Sequence, residues 1–499
     1  MVFQENDNMT NTDDRQHRSI LQRIARRVMI ERGLLPDFSV QAIAELDGIH
    51  GAVTNDEKSA RDFKNLAWCS IDNDDSRDLD QLTVAEAMPG GAVKILVAIA
   101  DVEAVVKKQS AIDDHANHNT TSVYTAAQIF PMLPEKLSTD LTSLNYESDR
   151  LAIVIEMGIG GDGSLQSSDI YRATVRNRAK LAYNSVAGWL EGNEPMPQVI
   201  GTVNGLDENL RLQYRTAQKL KSLRHQHGAL DLETIEARPV FEGDEIKDLE
   251  VEKRNSAKDI IEDFMITANG VTARYLAAKK VPSIRRIVRT PKRWDRIVEI
   301  ALEQGFTLPK VPDSKALDEF LISAKSTDPL RFPDLSLSII KLLGAGEYVV
   351  ELPGGSSAGH FGLAVKDYAH STAPNRRYPD LITQRLLIAA MAEGSIPYTT
   401  DELVELTKHC TENEDAAKKV ERQVGKSAAA MVLESKINQR FDAIVTGASA
   451  KGTWVRLLHP PIEGRLVSGF EGLDVGHRCR VQLLHTDVER GYIDFKKVE

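Results

Sequence analysis

Two periods of apolar residues divide the 499-residue chain. Over residues 15–46, in HRSILQRIARRVMIERGLL, Ile20, Leu21, Ile24, Ala25 and Val28 form one stripe with arginines opposite, a pattern that predicts helix. From Leu66 the period shortens. LAWCSID, LTVAEA and KILVAIADV are β-rich runs parted by acidic or glycine-rich turns, and a sheet is expected to begin there. LAIVIEMGIGGDGSLQSSDIYRATV reads as two strands joined by a glycine turn. Helical spacing returns over residues 182–190, 208–224 and 255–279, the last opened by an Asn255 cap. A strand–helix unit is expected over 359–391, and a long helix, an arm between domains, over 400–438. Five short strands follow (FDAIVTGAS, GTWVRLLHP, EGRLV, HRCRVQLLHTD, GYIDFKKV), the count of a small OB-type barrel.

Composition narrows the class. Hydrophobic residues at 42% and charged residues at 27% exclude wholesale disorder and fibrous or disulfide-scaffold proteins. No apolar run approaches the ~20 residues of a membrane span. The best stretch, from Lys94, already contains Asp101 and Glu103. The polar, acidic start MVFQENDNMTNTDDRQ carries no export signal. Cys69, Cys410 and Cys479 lie far apart, which suits a reducing cytoplasm and argues against a cysteine zinc site. Net charge is −11, yet residues 279–293 hold seven basic residues and no acid, and residues 172–180 hold four. Basic strips on an acidic body predict a channel for a polyanion.

Two phosphate-loop patterns fail. GIGGDG (158–163) satisfies GxGxxG, but a strand follows where a helix N-terminus must stand. VGKSAA around Lys426 lacks the first glycine and sits in helical context. The sharpest chemistry is DNDDSRDLD (72–80), five carboxylates in nine residues directly after the apolar LAWCSI. Crowded carboxylates must protonate, stay solvated or meet a cation. Asp78 and Asp80, two apart in extended chain, share a face, and hard oxygen donors suit magnesium or manganese. An EF-hand fails, because its sixth position is Arg77 and its twelfth Thr83.

WCSIDNDDSRDLDQ resembles the signature of the ribonuclease II/R (RNB-domain) exoribonucleases. TSVYTAAQIFPMLPEKLSTDLTSLN (from Thr121), RAKLAYNSVAGWLEG (from Arg178), IIEDFMITAN (from Ile260) and HFGLAVKDYAHSTAPNRRYPDLITQRLL (from His360) are similar, in order, to further family segments. The resemblance implies an α+β fold, a mixed sheet surrounded by helices, with a short helical N-terminal segment (1–65), the RNB catalytic domain (66–398), a helical arm (399–438) and a five-stranded OB-fold barrel (439–499). It implies that Asp72, Asp78 and Asp80 bind Mg2+ (or Mn2+), that Asp80 is catalytic, and that Arg376 stabilises charge on the scissile phosphate. Tyr124 falls on the tyrosine that meets the 3′-terminal nucleotide and Tyr183 on one lining the pocket. Glu262 falls on an acidic helix position near the site, and Arg377 is a second basic neighbour of the RNA. In the barrel, Trp454 and Arg456 share a face that could grip single strands.

Three departures stand out. The family's DxDD ends here in Gln81, its SPIRRY reads APNRRY, and no paired cold-shock domains precede the nuclease region, so RNA entry is expected to be less restricted. The function implied is a cytoplasmic 3′-to-5′ exoribonuclease that hydrolyses single-stranded RNA to nucleoside 5′-monophosphates. The alternative is an RNA-binding regulatory protein of the same fold with weak or no nuclease activity, Gln81 being the lesion.

Overall fold

The computed structural model describes residues 17–53, 60–234, 236–252, 254–329, 331–355 and 358–498; the expected helix onset at Arg15 lies outside them. The first helical stretch is two helices, His17–Glu31 and Val40–Asp47. Gly33, at φ +77°, turns the chain between them, and Ser39 caps the second by accepting from the Ala42 N–H.

The β-rich runs build one mixed sheet of seven strands among the described residues. Its order is Arg61–Asp62, Leu165–Arg176, Asp149–Ile159, Val93–Ala100, Gln81–Ala87, Cys69–Asp72 and Ala179–Ala182. The two outermost pairings are parallel and the inner ones antiparallel. In the central strand Val93–Ala100 all residues but one are buried, so its unbroken apolar run marks a sheet covered on both faces. Helices Ser256–Ala278 and Tyr378–Met391 contribute Ile260, Phe264, Val271, Leu381, Ile382 and Leu386 to that core. Each such side chain contributes about 1.5–3 kcal/mol by leaving water. Residues 158–163 form the hairpin turn expected of them.

Three helices that the periodicity left unread, Trp294–Glu303, Ser314–Thr327 and Phe332–Leu343, form a separate core around Trp294, Phe320, Phe332 and Ile339. Val475 of the C-terminal barrel joins this cluster, so the small bundle carries the barrel. The expected strand in the unit over 359–391 is absent. His360 makes only isolated bridges, to Val288 and Val365, before a 3-10 turn and the helix Tyr378–Met391. The arm is one helix, Thr400–Leu433, opened by a reciprocal Thr399–Glu402 capping box. Arg440–Ser449, Gly452–Leu457, Glu463–Ser468, Arg478–Asp487 and Tyr492–Lys497 close into a barrel.

The arginines of the two basic strips are paired with acids. Arg285 and Arg286 lie in the buried strand Ser283–Ile287 and face Glu351 and Glu414 at 3.5 and 2.6 Å. Arg289 pairs with Glu347, and Arg293 with Asp474 at 2.9 Å. In the other strip Arg172 meets Asp101 (2.7 Å), Arg176 meets Asp149 (2.6 Å) and Arg178 meets Glu147 (3.4 Å). Acids distant in sequence pair with the arginines of both runs, which local charge counting cannot detect.

Candidate active site and nucleic-acid interface

The strand Cys69–Asp72 runs along the sheet between Gln81–Ala87 and Ala179–Ala182, and its last residue ends the regular ladder. The loop that turns back into the next strand carries the remaining carboxylates, so topology alone gathers Asp72, Asp78 and Asp80 at one sheet end. Asp80 is 2% exposed. Its Oδ1 accepts the Asn375 backbone N–H at 3.1 Å, and its Oδ2 lies 3.3 Å from Arg376 Nε. Burial, with Asp78 adding to it and Arg376 opposing it, pushes the Asp80 carboxyl up to about 7. Asp72 is also raised, chiefly by burial, although Asn73 N–H and Ser76 Oγ–H donate to its Oδ1 at 2.8 and 3.0 Å. Arg376 remains 42% exposed at its side chain, open to an incoming anion.

Tyr124 lies beside the acidic loop. Its hydroxyl donates to Asp78 Oδ2 at 3.1 Å, its backbone N–H donates to Glu421 of the arm, and 40% of the residue is exposed. Burial and the neighbouring Asp78 raise its pKa, so it stays a donor. Tyr183 opens the helix Tyr183–Leu190 directly after Ala182, the cross-strand partner of Asp72, and so lies at the same sheet end. Glu262 rides on Ser256–Ala278 beneath that edge, where Arg254 Nη2 donates to it at 3.2 Å.

Three observations bear on the expected site residues. First, Asp78 is engaged by Tyr124, and Asp80 by Arg376 and Asn375. Second, the Arg377 guanidinium is engaged by an acid. Its Nη2 donates to Asp380 Oδ1 at 2.6 Å, inside the fold, and Asp380 also accepts the Ala373 N–H at 2.9 Å. This ion pair shapes the arginine loop. Third, Trp454 and Arg456 part company. Arg456 is 5% exposed and pairs with Asp334 of the helical bundle, while Trp454 lines a groove. Phe241 packs under the Arg18 guanidinium, 4.3 Å from its ring centroid.

That groove, a cavity of about 350 Å³ between the arm helix and the barrel, was not foreseen as a whole. Lys419, Arg422, Lys426, Arg465 and Arg490 line it beside Trp454 and Tyr492, with Asp494 as its acid. Arg422, Lys426 and Trp454 also line an adjoining cavity of about 420 Å³ that extends to Arg293 and Lys341. The readable signal was the spacing 419, 422, 426, one face of a helix.

Hard oxygen donors and an unusually basic buried carboxylate fit a divalent cation, which would replace the proton that burial otherwise favours. A family model for the RNB domain matches residues 60–393, and one for the RNase II-type exonuclease C-terminal S1 domain matches residues 439–498. The chain belongs to the RNB-domain family. Relatives of this RNB-domain chain include the Ribonuclease R of Vibrio parahaemolyticus, 30% identical over 88% of this chain and 56% of its own length. The Ribonuclease R of Escherichia coli is 30% identical over 85% of this chain and 53% of its own length. The chain thus spans a little over half the length of these relatives. The solved structure of Mycoplasma genitalium RNase R in complex with ribose methylated single-stranded RNA matches with a TM-score of 0.83 at 21% identity, covering 98% of this chain and 79% of that one. This likeness establishes the fold. No helix among the described residues is long and apolar enough to cross a membrane.

Proposed function

We propose that this RNB-domain chain is a hydrolytic, divalent-metal-dependent exoribonuclease that shortens single-stranded RNA from its 3′ end and releases nucleoside 5′-monophosphates in the cytoplasm. One observation carries the reading. The half-exposed guanidinium of Arg376 lies 3.3 Å from a carboxylate that is 2% exposed. Three hundred residues of chain have been folded back to keep a cation at an acid-rich sheet end and still open to solvent. Buried, paired cysteines are absent among the described residues, where all three thiols are free, which supports a reducing compartment.

In this reading Asp72, Asp78 and Asp80 hold Mg2+ (Mn2+ serving in its place). Two such ions held there would lower the pKa of an attacking water and neutralise charge on the leaving 3′-oxygen. Arg376 adds positive charge where the phosphoryl oxygens become more negative, an effect strengthened by the low dielectric around Asp80. Tyr124 donates to Asp78 and offers the exposed face of its ring to the terminal nucleotide. Tyr183 lines the pocket wall and Glu262 its helical side. The basic groove with Trp454 and Tyr492 grips the upstream strand by cation–phosphate attraction and stacking.

A second reading, RNA binding without cleavage, is favoured by Gln81, a neutral amide where the family carries a carboxylate. Cleavage of 5′-end-labelled RNA with Mg2+, with product sizing, separates the two. Monomers with a shortening labelled strand support the exonuclease. Internal fragments indicate an endonuclease, and intact RNA that remains bound indicates the second reading.

A further inference from the structure

We propose that residues 142–145 form a positioning clasp that sets the Asp78 and Asp80 carboxylates against Arg376; it rests on the exoribonuclease reading for what the clasp is for. Three consecutive peptide groups carry Asp78 and Asp80, and this segment pins all three. Ser143 Oγ, in a residue with no exposed surface, accepts the Leu79 N–H at 2.9 Å. The Arg77 carbonyl lies 2.9 Å from the same oxygen, so the peptides on both sides of Asp78 meet one hydroxyl. The Leu144 N–H donates to the Leu79 carbonyl at 2.9 Å, fixing the peptide that leads into Asp80.

The neighbouring residue reaches the other loop. Thr142 Oγ1 lies 2.5 Å from the Asn375 side-chain amide. The Asn375 backbone N–H holds Asp80 Oδ1, and the next residue, Arg376, meets Asp80 Oδ2. Thr142 has one hydroxyl proton, and the Leu137 carbonyl stands 2.9 Å away as an acceptor. That proton is shared between Asn375 Oδ1, the shorter contact, and the Leu137 carbonyl.

The clasp is itself braced. The Thr142 N–H bonds five residues back to the Leu137 carbonyl at 3.0 Å, closing the wide π-type turn Lys136–Leu141. Arg150 Nε donates to the Ser143 carbonyl at 3.0 Å, and Asn145 Nδ2 to the Thr139 carbonyl at 3.1 Å. A loop of small hydroxyl residues thereby sets the distance between two groups some three hundred residues apart in sequence. Neither hydroxyl touches the reacting atoms, so Thr142 and Ser143 are positioning residues.

The test compares the full-length chain with Thr142→Val, Thr142→Ser and Ser143→Ala. Steady-state cleavage of a single-stranded oligoribonucleotide gives kcat and KM, Mn2+ titration by EPR gives ion affinity without catalysis, and thermal unfolding gives Tm. Misplacement of reacting groups by about 1 Å costs on the order of a hundredfold in rate, and disturbing groups behind metal ligands about tenfold or more in affinity. Thr142→Val and Ser143→Ala are expected to lower kcat on that scale with KM within twofold, and to weaken Mn2+ binding about tenfold. Thr142→Ser, which keeps the hydroxyl, is expected to restore both. Parent-like kcat and Mn2+ affinity in folded Thr142→Val and Ser143→Ala would overturn the clasp. So would a loss that Thr142→Ser fails to rescue, or one that tracks only the folded fraction. A parent chain that binds Mn2+ but leaves RNA intact overturns the exoribonuclease reading instead, and the clasp is then decided by the Mn2+ titrations.

Discussion

At the scale of single residues, adjacent arginines divide two kinds of work. Arg376 is open and meets Asp80, while Arg377 is folded in against Asp380, whose side chain has no exposed surface. Arg376→Ala is expected to lower kcat about a hundredfold or more, the scale of one lost transition-state donor. Arg377→Ala strands a buried carboxylate and is expected to cost about 3–5 kcal/mol of stability, read by chemical denaturation. Asp80 supplies a pH test. Its carboxyl sits at about 7 in the folded chain against an ordinary 3.8. Between those values the folded state holds a proton that the unfolded state has released, so stability falls as pH rises through that window and is lowest above it. In EDTA, Tm is expected to drop from pH 5 to pH 8 in the parent and to drop less in Asp80→Asn, which should also be the more stable of the two at pH 8. The same substitution is expected to abolish cleavage while leaving RNA binding intact in a gel-shift assay.

At the scale of elements, periodicity revealed whatever depended on one face of one segment. The stripe through Leu21, Ile24 and Val28, the alternating strands of the barrel and the hairpin at Gly163 were all legible, because each records its own burial in its own spacing. What escaped was set by partners elsewhere. Arg285 and Arg286 look like channel residues until Glu351 and Glu414 are brought against them. Arg456 looks like a surface grip until Asp334 arrives. The site divides in the same way. DNDDSRDLD announced itself by charge crowding, and the resemblance supplied Arg376 and Tyr124, but Ser143 and Thr142 carry no signal of their own. A buried hydroxyl in a turn is chemically ordinary until the loops it joins are known. The arm helix shows the gain from adding a third dimension, since Lys419, Arg422 and Lys426 become one wall of a groove only when the barrel supplies Trp454, Arg465 and Tyr492. Arg422→Gln is expected to weaken single-stranded RNA binding and to reduce the slope of log K against log salt by about 0.7, the share of one released counterion. Trp454→Ala is expected to cost about 1–3 kcal/mol with the salt slope unchanged, as stacking carries no ion release. Filter binding across a salt series distinguishes them.

At the scale of the whole molecule, the acid-rich sheet end and the basic groove lie on different cores that the arm helix spans, giving Leu403 and Cys410 to one and Ala430 and Leu433 to the other. The sheet core holds Asp80 and Arg376, whereas the groove exists only where the barrel meets the arm. Barrel and bundle meet at Asp334, which pairs with Arg456 and, at 3.0 Å, with Arg478. Arg296 adds a hydrogen bond to the Val475 carbonyl at 2.8 Å. Burial alone holds the Arg456 guanidinium below its ordinary pKa, and Asp334 is the acid that opposes this. Asp334→Asn keeps the shape of the contact but leaves a charge that is 5% exposed without its counter-ion. The consequence should appear as domain uncoupling rather than as a catalytic defect. Calorimetry is expected to resolve a barrel transition that melts before the sheet core, where the parent unfolds together. A strand of thirty nucleotides, long enough to lie in the groove while its 3′ end reaches Asp80, is expected to show a raised KM. A tetranucleotide, confined to the acid-rich sheet end, should be cleaved with parent-like kcat and KM. Equal impairment of both substrates would place the barrel's contribution in the chemistry itself and contradict the division drawn from the two cores.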